Sequence, residues 1–80
     1  MDNNWHTYKL TMTTYFLEGH KHQSCALVNG TSQEVESTIL KHLEEELGCH
    51  IVGSWNADGS RWYAEKSVDD QDWTFELKKL

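Results

Sequence analysis

The sequence predicts an α+β fold of one domain, ββαβββ, with a single helix packed on one face of a mainly antiparallel five-stranded sheet. Three observations carry that expectation: one strongly amphipathic helical stretch, segments of two-residue alternation on both sides of it, and a length of 80 residues that leaves room for one core. The helix is the segment Thr31 to Leu47, TSQEVESTILKHLEEEL. Thr31 stands three residues before Glu34, the capping-box spacing in which the hydroxyl takes a first-turn amide and the glutamate reaches back to the amide of Thr31. Gly48 supplies the stop. Val35, Ile39, Leu40, Leu43 and Leu47 fall within an arc of about 140° when each residue advances by 100°, so one apolar face needs a sheet to cover it.

The strands follow from alternation. Between Trp5 and Leu17, Tyr8, Leu10, Met12 and Phe16 share one side, and Lys9, Thr11, Thr13 and Tyr15 share the other. The segment EGHKHQ is expected to turn the chain into a short second strand, Ser24 to Asn29. After the helix, Cys49 to Trp55 forms a third strand and NADG its hairpin loop, followed by a fourth strand from Arg61 to Lys66. The turn SVDDQ then leads into DWTFELKKL, where Trp73, Phe75 and Leu77 alternate with Thr74, Glu76 and Lys78. No composition shift, repeat or low-complexity run divides the chain, and proline is absent. A spatial order 2-1-3-4-5 is expected, because it makes every neighbouring pair antiparallel with short connections.

Charge narrows the function. Seven Lys plus Arg against thirteen Asp plus Glu give a formal net charge of −6. That balance opposes a nucleic-acid backbone and suits a protein partner with a basic surface. The N-terminal MDNNWHTYKL has no basic region followed by an apolar run, and no stretch is apolar for the roughly 18 residues that a membrane span requires. No membrane is expected, and the cytoplasm is the expected compartment. The two cysteines, Cys25 and Cys49, are then expected as reduced thiols, and the sequon Asn29-Gly30-Thr31 is explained by the helix cap.

Two groups of residues are not accounted for by the fold. Glu44, Glu45 and Glu46 end the helix, where the macrodipole disfavours negative charge by about 0.3–1 kcal/mol per residue. With Asp69, Asp70 and Asp72 they form a candidate surface for a basic partner. Four tryptophans, three tyrosines and two phenylalanines exceed what a one-helix core readily hides. Alternation directs Tyr15, Tyr63 and Trp5 away from the helix, where rings can anchor an interface. A charge run is commonly just a solvated face, and scattered exposed rings are ordinary.

Metal and catalytic chemistry have less support. His20, His22 and Cys25 in HKHQSC are the residues that a zinc site would use, with Cys49 or His50 as a further ligand, but no Cys-x2-Cys knuckle is present. No resident metal or other cofactor is expected. Ser54, Asn56, Asp58, Gly59 and Glu65 match a calcium-loop pattern with serine in place of the first acid. Their strand context, however, reads as a hairpin turn. A Cys–His nucleophile would need an orienting group and a cleft, and no phosphate-binding or nucleophile-elbow motif occurs, so no enzyme is expected.

The reading that follows is a small acidic non-enzymatic protein-binding module, an inhibitor or adaptor of the kind phages and mobile elements encode. That comparison is one of size and charge, not of motif. The alternatives are a zinc-dependent regulatory or sensor domain, and a single-strand nucleic-acid binder stacking bases on sheet aromatics. A homodimer through a sheet edge or the open sheet face is the other contact this architecture admits.

Overall fold

A computed structural model describes residues 4–80; Met1 to Asn3, part of the N-terminal stretch considered above for export, lie outside the described residues. The elements are β1 (His6–Tyr15), β2 (Lys21–Gly30), α1 (Ser32–Leu47), β3 (Gly53–Trp55), β4 (Arg61–Val68) and β5 (Gln71–Lys79). The expected ββαβββ order is present, with α1 packed on one face of a five-stranded, wholly antiparallel sheet.

The strand order is β2-β1-β5-β4-β3, not 2-1-3-4-5. Both orders alternate strand direction, so direction cannot choose between them; strand length can. β1 is ten residues long and interior to the sheet, and its backbone groups need a long partner on each side. β5 pairs with it from Tyr8↔Lys79 to Tyr15↔Asp72, whereas β3 is three residues long and fits only an edge. Because β3 lies at the far edge, α1 and the following loop carry the chain across four inter-strand gaps. That is about 19 Å, within reach of a 16-residue helix about 24 Å long.

Local chemistry fixes the boundaries. Thr31 Oγ1 accepts from the Glu34 amide at 3.2 Å and donates to Glu34 Oε1 at 2.9 Å. The glutamate thus takes the hydroxyl proton instead of reaching the Thr31 amide. Gly48 closes the helix at φ 68°, its amide donating to the Glu44 carbonyl at 2.9 Å. The β1–β2 turn falls at Phe16–His20, earlier than expected, with the Phe16 amide bonded to the His20 carbonyl at 2.9 Å. This lengthens β2 to ten residues. Asp69 and Asp70 form a two-residue hairpin between Val68 and Gln71 with φ of 50° and 64°, the primed turn that suits strand twist.

On the helix side, register stacks the core in rows: Leu10, Leu77, Trp62 and Trp55 across four strands, then Met12, Phe75, Ala64 and Gly53. Val35, Ile39 and Leu43 close over them with Tyr8 and Ile51, and Leu40 and Leu47 pack at the margin. Trp62 is fully buried and its indole Nε1 donates to Glu36 Oε2 at 2.7 Å, tying β4 to α1. Tyr8, Trp62 and Phe75 are absorbed by this core, with Trp55 and Trp73 against it, so one helix hides more rings than the sequence suggested.

Candidate functional site

Helix direction and turn placement gather acidic groups at one end of the sheet, where β1 ends and β5 begins. There the β1–β2 and β4–β5 turns lie side by side, and Phe16, Leu17, Glu18, His20, Asp69, Asp70 and Gln71 line one shallow groove of about 460 Å³. Leu17 is 82% exposed at its lip. The C-terminal turn of α1 points to the same end, since Glu46 and Leu47 line a cleft with Thr14, His22 and Trp73. Asp69 and Asp70 therefore do share a surface with the chain end of β1. Asp72 sits one step inside, on the face away from α1, opposite Tyr15, and accepts from Ser67 Oγ at 2.6 Å.

The three helix glutamates differ. Glu45 and Glu46 are exposed. Glu44 is engaged: its Oε2 accepts from the Ile51 amide at 2.9 Å and lies 2.7 Å from His50 Nδ1. The Ile51 amide bond, followed by the His50 charge and its hydrogen bond, holds the Glu44 carboxyl below its ordinary value despite an opposing desolvation effect. Glu44 thus fastens the loop after the helix, which explains one of the three charges that the macrodipole disfavours.

The sheet face away from α1 is largely a lattice of polar side chains; Leu27 is exposed on it, as are Tyr15 and Tyr63, the two tyrosines lying there as alternation predicted. Gln23 Nε2 donates to Thr13 Oγ1 at 3.1 Å and Thr7 Oγ1 donates to Asn29 Oδ1 at 2.6 Å. Tyr63 OH donates to Glu65 Oε2 at 3.1 Å, and desolvation, then Glu65, push its phenol above the ordinary range. Trp5 is exposed but precedes β1 and belongs to no face of the sheet. Register also brings Lys9, Lys78 and Arg61 into one row on this face, a cationic line that strand-by-strand reading could not show because it depends on β5 lying between β1 and β4.

The metal candidates do not converge. His22 and Cys25 are three residues apart on β2 and so lie on opposite faces, with Cys25 opposite Thr11 and His22 opposite Thr14. His20 is in the preceding turn. Among the described residues, no group of three or more His, Cys, Asp and Glu is placed to hold a metal ion. The calcium-like residues are spent on their own turn. Asp58 Oδ1 accepts from the Ser60 amide and hydroxyl at 3.0 and 2.6 Å, Asn56 Oδ1 accepts from the Arg61 amide at 3.1 Å, and Glu65 lies on β4 beyond them. Those Ser60 bonds hold the Asp58 carboxyl below its ordinary value.

Sequence reasoning missed two features. The groove beneath Phe16 and Leu17 does not show in the sequence, where alternation extends the first strand through Leu17 and the expected turn, EGHKHQ, begins only at Glu18. The second is a cleft of about 380 Å³ between the C-terminal half of α1 and the sheet, floored by Met12, Trp73 and Phe75 and rimmed by His22, His42 and Glu46. It exists where α1 drifts off the Trp73 end of the sheet, which only the strand order reveals. Comparison with known protein families, with curated proteins and with solved structures found no match.

Proposed function

We propose that this protein is a small non-enzymatic binding module, an inhibitor or adaptor that occludes a partner's basic surface with the acidic end of its sheet. The observation that carries the proposal is the shared groove of Phe16, Leu17, Glu18, Asp69 and Asp70, with Glu46 of the neighbouring cleft, and Glu45 beside it in the last turn of α1, at the same end. Exposed apolar groups supply contact area, and the acids around them favour a basic counterpart and speed encounter. Tyr15 and Asp72, one step inside on the open face, extend the same surface. Tyr63 lies further along that face.

Two alternatives are weaker on the same geometry. A zinc sensor built on His20, His22 and Cys25 has to draw ligands from both faces of β2. A single-strand nucleic-acid binder gains the row Lys9, Lys78 and Arg61 beside Tyr63, yet Glu65 holds the Tyr63 hydroxyl and Glu76 stands directly opposite. A base stacked on that ring brings its flanking phosphates against two carboxylates.

The test is comparative capture from the native host by wild type and by a variant carrying Glu45→Gln, Glu46→Gln, Asp69→Asn and Asp70→Asn. Asparagine tolerates the left-handed backbone at both turn positions, so the fold is retained. A basic protein held by wild type and released by the variant supports the proposal. Equal retention of the same proteins by both removes it.

A further inference from the structure

The two edges of the sheet are unlike. β3 has three residues, while β2 has ten, matched to β1 in one uninterrupted register from His6↔Gly30 to Tyr15↔Lys21. Every second residue of such an edge strand turns its N–H and C=O away from its neighbour, so β2 presents a row of unpaired backbone groups along its free side. Native sheets guard such an edge with proline, a bulge, inward charges or a covering element. β2 has none of these along its middle. The chain contains no proline, the register has no bulge, and the strand's only Lys, Arg, Asp or Glu is Lys21 at its first position. Cys25, Ala26 and Leu27 are exposed at the centre, Leu27 by 65%; Ala26 is the one of these on the α1 side, and its exposure means that α1 does not cover the strand there.

We propose that β2 is the seam of a symmetric dimer, in which β2 of a second copy pairs antiparallel with it and makes one ten-stranded sheet. Charge placement favours a second copy. A net charge of −6 works against self-association, yet β1 and β2, the two strands nearest the seam, carry no Asp or Glu; among the described residues the acids are on α1, β4, β5 and the turns. A two-fold axis normal to the sheet keeps each residue on its own face and sets a central residue opposite its copy, so the two Lys21 side chains fall at opposite ends of the seam. Full overlap adds up to about ten inter-chain hydrogen bonds, and the exposed Leu27 of each copy packs against the neighbouring strand.

The experiment is sedimentation equilibrium over a wide concentration series, with hydrogen exchange at its two extremes. Wild type is expected to rise from 9.3 kDa to twice that mass, with amides of β2 slowing as concentration rises and those of β3 unchanged. The double variant Ala26→Lys, Leu27→Lys sets like charges across the seam. It is expected to stay at single-chain mass with an unaltered circular dichroism spectrum, while Val52→Lys, an exposed site beside β3, still dimerises. A single-chain mass for wild type throughout, exchange in β2 that ignores concentration, or a double-lysine variant that still doubles its mass overturns the proposal.

Discussion

Replacing Gly53 by alanine is the sharpest test of how β3, β4 and α1 are joined. Gly53 pairs with Ala64, and the Trp62 indole lies across it: a Cβ built there meets Cζ2, Cε2 and Nε1 of that ring, all closer than 3.0 Å. The ring cannot give way cheaply. Trp62 is fully buried, and its Nε1 is committed to Glu36 Oε2 at 2.7 Å. Forcing an extra methyl into a packed core costs about 1–3 kcal/mol, and losing a hydrogen bond to a charged acceptor adds roughly 1.5–3 kcal/mol. The sum, about 2.5–6 kcal/mol, is a large part of the roughly 4–12 kcal/mol that holds a domain of this length. Urea melts followed by tryptophan fluorescence and far-ultraviolet circular dichroism report it. With an m-value of about 1–1.5 kcal/mol/M, the midpoint should fall by roughly 2–6 M. Glu36→Gln, which keeps an acceptor and adds no bulk, should fall by less. A Gly53→Ala midpoint within about 0.5 M of wild type refutes the placement of the ring over β3.

Leu43, buried in the same cluster as Leu10 and Ile51, should lose about 2–5 kcal/mol on truncation to alanine, read from the same melts; an unchanged midpoint contradicts the assigned helix face. Glu44 has its carboxyl held below its ordinary 4.5, so its contribution is present above that value and lost as pH falls through the lower folded value. Wild type should therefore be more stable than Glu44→Gln at neutral pH, with the difference shrinking below about pH 4.5 in thermal melts; a gap independent of pH counts against the Glu44–Ile51 bond. Purified protein should hold no stoichiometric zinc by elemental analysis, because His22 and Cys25 face opposite ways. One zinc per chain, lost in a His20→Ala, His22→Ala double variant, would replace the binding-module proposal with the sensor.

What the sequence disclosed depended on whether the relevant physics was local. The cap at Thr31, the stop at Gly48 and the apolar stripe of α1 are properties of adjacent turns, and all were legible. Face assignment in β1, β4 and β5 was legible too, because alternation alone places Tyr15 and Tyr63 opposite Leu10 and Trp62. Strand order was not, since antiparallel alternation is satisfied equally by β3 or β5 beside β1. The deciding fact, that Cys49 to Val52 is loop and only Gly53–Trp55 pairs, rests on Ile51 being drawn under the helix. The site was half legible for the same reason. Asp69 and Asp70 were singled out by charge, but their neighbours Phe16 and Leu17 come from a turn 53 residues away in sequence. Glu44 was grouped with Glu45 and Glu46 because its bond to Ile51 is tertiary.

The most direct test of the account is the salt dependence of association between this protein and its captured partner, measured by surface plasmon resonance at two ionic strengths. If the acidic end steers a basic surface, replacing Glu45, Glu46, Asp69 and Asp70 by their amides slows association and flattens its salt dependence, while dissociation changes little. Leu17→Ala should instead speed dissociation, by an amount corresponding to about 2 kcal/mol if that side chain sits at the centre of the contact. Association and dissociation rates equal to wild type in both variants, at both ionic strengths, would contradict the claim that this end of the sheet is the binding surface.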